Sequence, residues 1–403
     1  MEHVAVTGVG VVSPIGCTVE SFWRNLLDGK RAIAPMSQDA RVSGNALWAA
    51  VSDDFLKQAA LPPGALRNTD RFTQFAMVAA DEALRGARYE PPAERTAVII
   101  GNTMGGFPFV AEAQTRFLEG GWRAVTPKLM ALVIPNMAGA SIAKHWRLHG
   151  PQLAISTACA SSLDAIGLAS GMIERGEIDA AIAGGTETLL SPLVYESLVR
   201  AGALSRNADA ERASRPFDVE RDGFVMGDGA AIVVLERAER ATARGASILA
   251  RIRGYGSVAD AYHITSPDPS AKYEVLAMRD ALARSGDAAD NCHVVYAHAT
   301  GTIVGDAAES RAIDTVYADG GAVVTSIKGH LGHSMASSGA MCAIAGITGM
   351  HAGIIPPTIG TERLDPATRF DLVTSRPRAH SYSAFQVNAF GFGGQNASLV
   401  VTR

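Results

Sequence analysis

The sequence predicts an α/β protein built from two successive halves, and three observations carry that expectation. Apolar, strand-like runs alternate with helical segments along the whole chain, as layered α/β folds require. After LERAERATARGA a second series of the same kind begins, so the halves meet near residue 245 and the expected units are 1–245 and 246–403. No Ser/Pro-rich linker or low-complexity segment divides the chain, which argues against a flexible hinge.

In chain order, the first series reads VAVTGVGVV (strand), RFTQFAMVAADEALRGA (helix), TAVIIG (strand) and QLAIS (strand). LDAIGLASGMIERG follows as a helix, then DAAIAGG and AAIVVLE as strands. The LDAIG helix is apolar nearly all round, with Leu163, Ile166, Leu168, Ala169, Met172 and Ile173, as a helix enclosed within a domain would be. The second series opens with SILARIRGYGSV, continues through the helix AKYEVLAMRDALARSG, and adds the strands HVVYAHAT, AVVTSI and NASLVVTR. The order of elements, not repetition of residues, suggests internal duplication.

Composition excludes several classes. Of 403 residues 47% are hydrophobic and 19% charged, enough apolar material for one large core or two fused halves. The formal charge of −4 comes without any basic run that could follow a phosphate backbone, so nucleic acid is not expected as a partner. The amino-terminal MEHVAVTGVGVVSPIG has no basic leader and is interrupted by Gly and Pro before a membrane-spanning length, which predicts a cytoplasmic protein with no membrane partner. TGVGVVSPIG begins like a dinucleotide fingerprint, but Ser13 stands where the third glycine is needed. His330 and His333 are spaced so that they could face one metal, yet no further ligands cluster nearby, so no metal is expected.

The four cysteines, Cys17, Cys159, Cys292 and Cys342, are scattered singly, so each is judged as a thiol. Cys159, in AISTACASSLDAIG, lies where an apolar strand gives way to the LDAIG helix. A thiol at a helix N-terminus has its thiolate stabilised by the macrodipole and free backbone N–H groups, which predicts a nucleophile. An inert core cysteine is the bland alternative for a lone Cys in an Ala/Ser setting. Three later stretches weigh against it: YAHATGTIVGDAAES with His298, Thr300, Thr302, Asp306 and Glu309; TSIKGHLGHSMASSGA with Lys328 and His333; and NAFGFGGQNAS with Phe392.

With these motifs in order the chain resembles the β-ketoacyl-ACP synthases of the thiolase superfamily, in particular the elongating synthase II type. VAVTGVGVVSPIG, ISTACASS, RPFDVERDGFVMGDGAAIVVLE, DAYHITSP, the two histidine motifs and GFGG carry the likeness from end to end. The resemblance implies a thiolase-like fold, two similar α/β halves in a five-layered αβαβα arrangement. It also implies decarboxylative Claisen condensation of malonyl-ACP with an acyl chain held as a thioester on Cys159, in fatty-acid or type II polyketide or polyene elongation. His298 and His333 would donate hydrogen bonds to the malonyl thioester oxygen, their other ring nitrogens held by fixed partners. The backbone N–H groups of Cys159 and Phe392 would form the oxyanion hole. Lys328, ion-paired with Glu309, would support the histidines.

Thr300 and Thr302 match threonines that bind the phosphopantetheine arm, and Thr265 lies at the expected tunnel mouth. Met104 and Leu198 fall on the acyl pocket, and Leu129 where a partner subunit's residue would enter. Arg67, Lys128 and Arg200 are placed to meet an acidic carrier protein. No cofactor is expected to be bound, phosphopantetheine arriving on the acyl carrier protein. The expected assembly is a homodimer, or a heterodimer with a chain-length-factor-like subunit. The competing reading, a non-condensing chain-length-factor-like partner, is disfavoured because Cys159, His298 and His333 are all present; a thiolase would want a second cysteine near the C-terminus. HAT replaces the usual HGT, GFGGQN replaces GFGGTN, and SMASSGA ends the second histidine motif, with Gln395 expected to bring a larger amide close to the site.

Overall fold

The computed structural model describes residues 4–36, 42, 46–58, 60–62, 64–89, 92–318 and 321–403. Its frame is an eleven-stranded sheet. In chain order the strands are β1 (Val4–Val12), β2 (Thr96–Gly101), β3 (Gln152–Ile155), β4 (Ala180–Glu187), β5 (Gly229–Arg237), β6 (Ala250–Ala259), β7 (Val294–Tyr296), β8 (Val323–Thr325), β9 (Asp371–Leu372), β10 (Ala384–Gly391) and β11 (Gln395–Thr402). They lie side by side as β9-β8-β7-β10-β11-β6-β1-β5-β4-β2-β3. Read outward from the centre, one side runs β1, β5, β4, β2, β3 and the other β6, β11, β10, β7, β8, followed by the short edge strand β9. With β9 set aside, both sides therefore follow the same wiring: first strand of the series, last, fourth, second, third. Val4–Val6 of β1 run antiparallel to Ala250–Ile252 of β6 and join the two.

The helices that cover this frame are α1 (Arg71–Ala87), α2 (Phe107–Gly120), α3 (Met137–Trp146), α4 (Ser161–Glu174), α5 (Pro192–Arg200), α6 (Lys272–Ser285), α7 (Ile303–Tyr317) and α8 (Ser338–Ala352). Alternate residues of each central strand serve different layers, because successive side chains leave opposite faces. Ala97 and Ile99 of β2 join the core around α4 and α8, whereas Val98 and Ile100 pack with α1 and α3. In the second half Val294 and Tyr296 face the same α4/α8 core, and Val295 packs with residues of α6 and α7. The result is helices, sheet, helices, sheet, helices. Strands covered on both faces must be apolar throughout, which is why they read as continuous hydrophobic runs.

Two details correct the local reading. Leu168 of α4 is 42% exposed, so this helix is not enclosed on every side. The glycines that imitate a dinucleotide fingerprint serve packing: a Cβ on Gly8 or Gly10 would lie 2.0 Å from the carbonyl oxygen of Ala83 or Ala79, so their absence lets α1 lie directly on β1. Among the described residues no helix is long and apolar enough to cross a membrane.

Candidate active site

The site is built at the ends of β3, β7 and β10. After β3 the chain makes a 3₁₀ turn over Ala158–Ala160, with Ala158 at φ +50, before α4 begins at Ser161. Cys159 thus sits in the turn before the helix. Local hydrogen bonds hold this strained backbone. The Thr157 N–H donates to Ser161 Oγ at 2.9 Å, and the Ser161 hydroxyl donates to the Ala158 carbonyl at 2.6 Å. Asp164, in the first turn of α4, accepts from the Thr157 hydroxyl and, at 2.5 Å, from the Tyr255 hydroxyl of β6. On the other side β10 passes so near that a Cβ on Gly391 would lie 2.9 Å from the Cys159 nitrogen.

His298 follows β7. Glu309 of α7 accepts the backbone N–H groups of His298 (2.8 Å) and Ala299 (2.6 Å), and the Asn388 side-chain amide at 3.2 Å. Asp306 holds the same loop through the Gly301 N–H at 3.0 Å and ties it to the Phe217 N–H at 2.8 Å. His333 donates its backbone N–H to Val225 at 2.7 Å, and Phe224 packs edge-on against its ring at 5.4 Å between centroids. Its Nε2 lies 3.0 Å from Cys159 Sγ, and the two imidazoles are 5.2 Å apart, nearly perpendicular. Cys159 Sγ and one nitrogen from each histidine all lie within 4.8 Å of one another. His330, in contrast, spends both ring nitrogens on backbone carbonyls, Nδ1 on Lys30 at 3.0 Å and Nε2 on Pro357 at 2.8 Å.

The electrostatics oppose the helix-end stabilisation expected for the Cys159 thiolate. Burial pushes the Cys159 thiol up to about 12, while the Lys328 charge and the backbone N–H groups of Phe392 and of Cys159 itself pull the other way. Desolvation wins because the turn is packed between β10 and the histidines, so helix-end stabilisation does not leave the sulfur ionised at rest. Burial, reinforced by Lys328, also holds both His298 and His333 well below the usual imidazole value. Both are neutral near pH 7. Among the described residues neither Nδ1 has a hydrogen-bond partner, although both are enclosed, so the fixed partners expected for the second nitrogens are not formed there. A bare lone pair costs less there than a stranded N–H, which assigns the proton of each ring to Nε2.

Lys328 is buried, but its expected ion pair with Glu309 is not formed among the described residues. The Glu309 carboxylate is turned to the backbone N–H groups beneath the histidine loop and is pushed up to about 7 by burial. The Lys328 charge acts instead on Cys159, His298 and His333.

A cavity of about 760 Å³ opens over the three groups. Its wall includes Cys159, His298, His333 and Phe392, the three threonines Thr265, Thr300 and Thr302, and the apolar side chains of Met104 and Leu198. Thr300 and Thr302 hydroxyls lie 3.3 Å apart, and Thr302 stands at the N-cap position of α7 without a side-chain capping bond. Leu129, on a short helix Leu129–Val133, is not on the wall of its own chain's cavity. Gln395 is also absent from the wall, its amide bent back toward the Gly393 carbonyl. Arg67, Lys128 and Arg200 are exposed, Lys128 donating to Asn68 Oδ1 at 2.6 Å. Sequence reasoning missed Phe224, Tyr255 and Asp164 as supports. Of these only Asp164 carried a signal, an acid in the first turn of an otherwise apolar helix.

Comparison with known proteins agrees with this arrangement. The family model for the β-ketoacyl synthase N-terminal domain matches residues 1–241, and that for the C-terminal domain matches 249–362. The chain is 38% identical over 408 residues to a 3-oxoacyl-[acyl-carrier-protein] synthase 2 of Coxiella burnetii, covering 100% of this chain and 99% of that protein. Among solved structures it is similar to the ishigamide ketosynthase/chain length factor, with a TM-score of 0.92, 31% identity, and 100% and 99% of the two chains covered. It is also similar to a type II polyketide ketosynthase in complex with its acyl carrier protein, at a TM-score of 0.91 and 28% identity, with 100% and 99% covered. With its doubled wiring, its five layers and a Cys–His–His cluster at the strand ends, the chain belongs to the β-ketoacyl synthase family, acyltransferases that form carbon–carbon bonds.

Proposed function

We propose that the cavity hosts decarboxylative Claisen condensation of malonyl-ACP with an acyl chain held on Cys159, giving β-ketoacyl-ACP. The observation that carries this reading is the convergence of one thiol and two neutral imidazoles on a single cavity, with the Cys159 and Phe392 backbone N–H groups directed at the sulfur. Cys159 attacks the acyl-ACP thioester while His333 Nε2–H and the two backbone N–H groups take up the charge on sulfur. The thiol proton leaves with the pantetheine sulfur. Malonyl-ACP then enters, and His298 and His333 donate Nε2–H to its thioester oxygen as carbon dioxide departs. Neutral donors suit this step, since the enolate oxygen becomes charged only on the way to the transition state. The enolate carbon attacks the acyl carbonyl, whose oxygen swings into the Cys159/Phe392 N–H pair, and collapse expels the thiolate. Lys328 and Glu309 position this machinery, the first through its charge and the second through the loop that carries His298.

The arm would run along Thr265, Thr300 and Thr302, with the acyl chain on the Met104 and Leu198 side. Acidic carrier protein would meet Arg67, Lys128 and Arg200, in keeping with the cytoplasmic setting of a dissociated pathway. We place the division between halves at 245/246. A second subunit of the same fold, another copy or a chain-length-factor-like chain, would pair along β3. That strand closes one end of the sheet and exposes Leu153, and the same half of the chain also exposes Phe117, Leu118, Trp122 and Met130. Leu129 would then reach the partner's cavity. Intact-mass analysis of the carrier protein tests the function: wild type should yield β-ketoacyl-ACP from malonyl-ACP and acyl-ACP, and Cys159→Ala none. Condensation by Cys159→Ala at the wild-type rate would overturn the reading.

A further inference from the structure

Glu274, in the first turn of α6, lines the cavity yet is 2% exposed, and its Oε2 is enclosed with no hydrogen-bond partner among the described residues. A buried carboxyl without a partner is costly, so a ligand that completes it is the natural explanation. The charged groups that face it are Asp260 at the end of β6, Asp268 in the following loop, and Glu309 and Arg311 of α7. Three acids against one arginine keep the group protonated, and burial together with those acids pushes it up to about 9.

The rest of this part of the wall is uncharged or already engaged. Asp260 accepts the Asn396 amide and, at 3.0 Å, the Asp268 N–H, while Thr265, Thr300 and Thr302 present hydroxyls. An anionic ligand group such as the malonyl carboxylate would be repelled here. A neutral group that both donates and accepts would not, and an amide is the matching chemistry: a protonated carboxyl can donate O–H to its carbonyl and accept its N–H on the other oxygen.

We propose that Glu274, as a neutral carboxylic acid, hydrogen-bonds an amide of the pantetheine arm and so positions the thioester over Cys159 and the histidines. This rests on the reading of the cavity as the condensing site. Glu274 acts on binding, without touching the reacting atoms.

The test compares Glu274→Leu, which keeps bulk but no hydrogen bonding, with Glu274→Gln, which keeps both donor and acceptor. Decarboxylation is measured with malonyl-pantetheine and with a malonyl thioester of a plain alkanethiol that has no amide. Glu274→Leu should raise KM for malonyl-pantetheine roughly threefold to tenfold, the range of one hydrogen bond, leave kcat nearly unchanged, and not alter KM for the amide-free thioester. Glu274→Gln should recover most of that loss. Between pH 7 and 10 the wild-type KM should rise as the carboxyl ionises and loses its donor, while the Gln variant stays flat. The inference is overturned if the Leu variant matches wild type, if both substrates lose equally, or if wild type and the Gln variant share one pH profile. Should the Leu variant fail to fold, the wild-type and Gln profiles decide alone. Cys159→Ala separates the two levels: retained condensation defeats the condensing-site reading, whereas silent Cys159→Ala with unaltered Glu274 variants defeats only the amide contact.

Discussion

Replacing Leu198 by phenylalanine should shorten the longest acyl chain the enzyme accepts. Leu198 lies on α5, lines the cavity with Met104, Phe107 and Leu193, and rests on a cluster containing Tyr195, Leu204, Phe224 and Met335. A ring at this position projects into space that the end of a long chain would occupy. Each methylene denied its seat forfeits about 0.8 kcal/mol, so a primer losing two is disfavoured by about 1.6 kcal/mol, or roughly fifteenfold in kcat/KM. Primers too short to reach Leu198 should be unaffected, because the substitution leaves Cys159 and both histidines in place. The assay is kcat/KM across a series of acyl-ACPs, with the melting temperature measured alongside, since overpacking the cluster would cost about 1–3 kcal/mol of stability. Equal loss for short and long primers, or an unchanged chain-length profile, would refute the reasoning and make Leu198 a packing residue. The next candidate for setting the preference would then be the proposed partner subunit near Leu129.

Iodoacetamide should label Cys159 ahead of Cys17, Cys292 and Cys342, because only its sulfur has the His333 donor and two backbone N–H groups to stabilise charge; equal labelling of all four in the folded protein would count against this. His298→Ala and His333→Ala should each reduce malonyl-ACP decarboxylation about 100-fold or more while leaving acyl transfer to Cys159 partly intact, and a variant decarboxylating at the wild-type rate would remove its residue from the mechanism. Both imidazoles are held well below their ordinary value and are neutral near pH 7, so the ring resonances of His298 and His333 should not titrate near pH 6.5 when followed by NMR of histidine-labelled protein; a ring signal titrating there would count against neutral donors. Reversing Arg67 and Lys128 to Glu should raise KM for acyl-ACP, with the difference shrinking as salt increases, while transfer from a small pantetheine thioester is spared; an equal effect on both substrates would rule out carrier docking.

The amino-acid sequence by itself determined the layered α/β class, the repeat of the strand–helix series and the choice of Cys159, His298 and His333 as the groups proposed to react. Strands covered on both faces must be apolar along their length, and a thiol and two histidines in glycine- and hydroxyl-rich turns are local patterns that survive without coordinates. What depends on approach between distant segments was decided only by the tertiary structure. Cys159 and His333 are 174 positions apart in the chain, and their 3.0 Å contact exists because β3 and the loop before α8 end at the same cavity. Packing around the Cys159 turn raises its thiol where the helix end alone would lower it, since desolvation there outweighs the dipole. Glu309 has the composition of an ion-pair partner for Lys328, yet the fold turns it toward the His298 and Ala299 N–H groups, which burial would otherwise leave unpaired. Glu274 is the sharpest case. In the linear chain it is one acid in the first turn of an amphipathic helix, and only the closure of α6 over β6 and α7 strips it of water and opens it to the cavity.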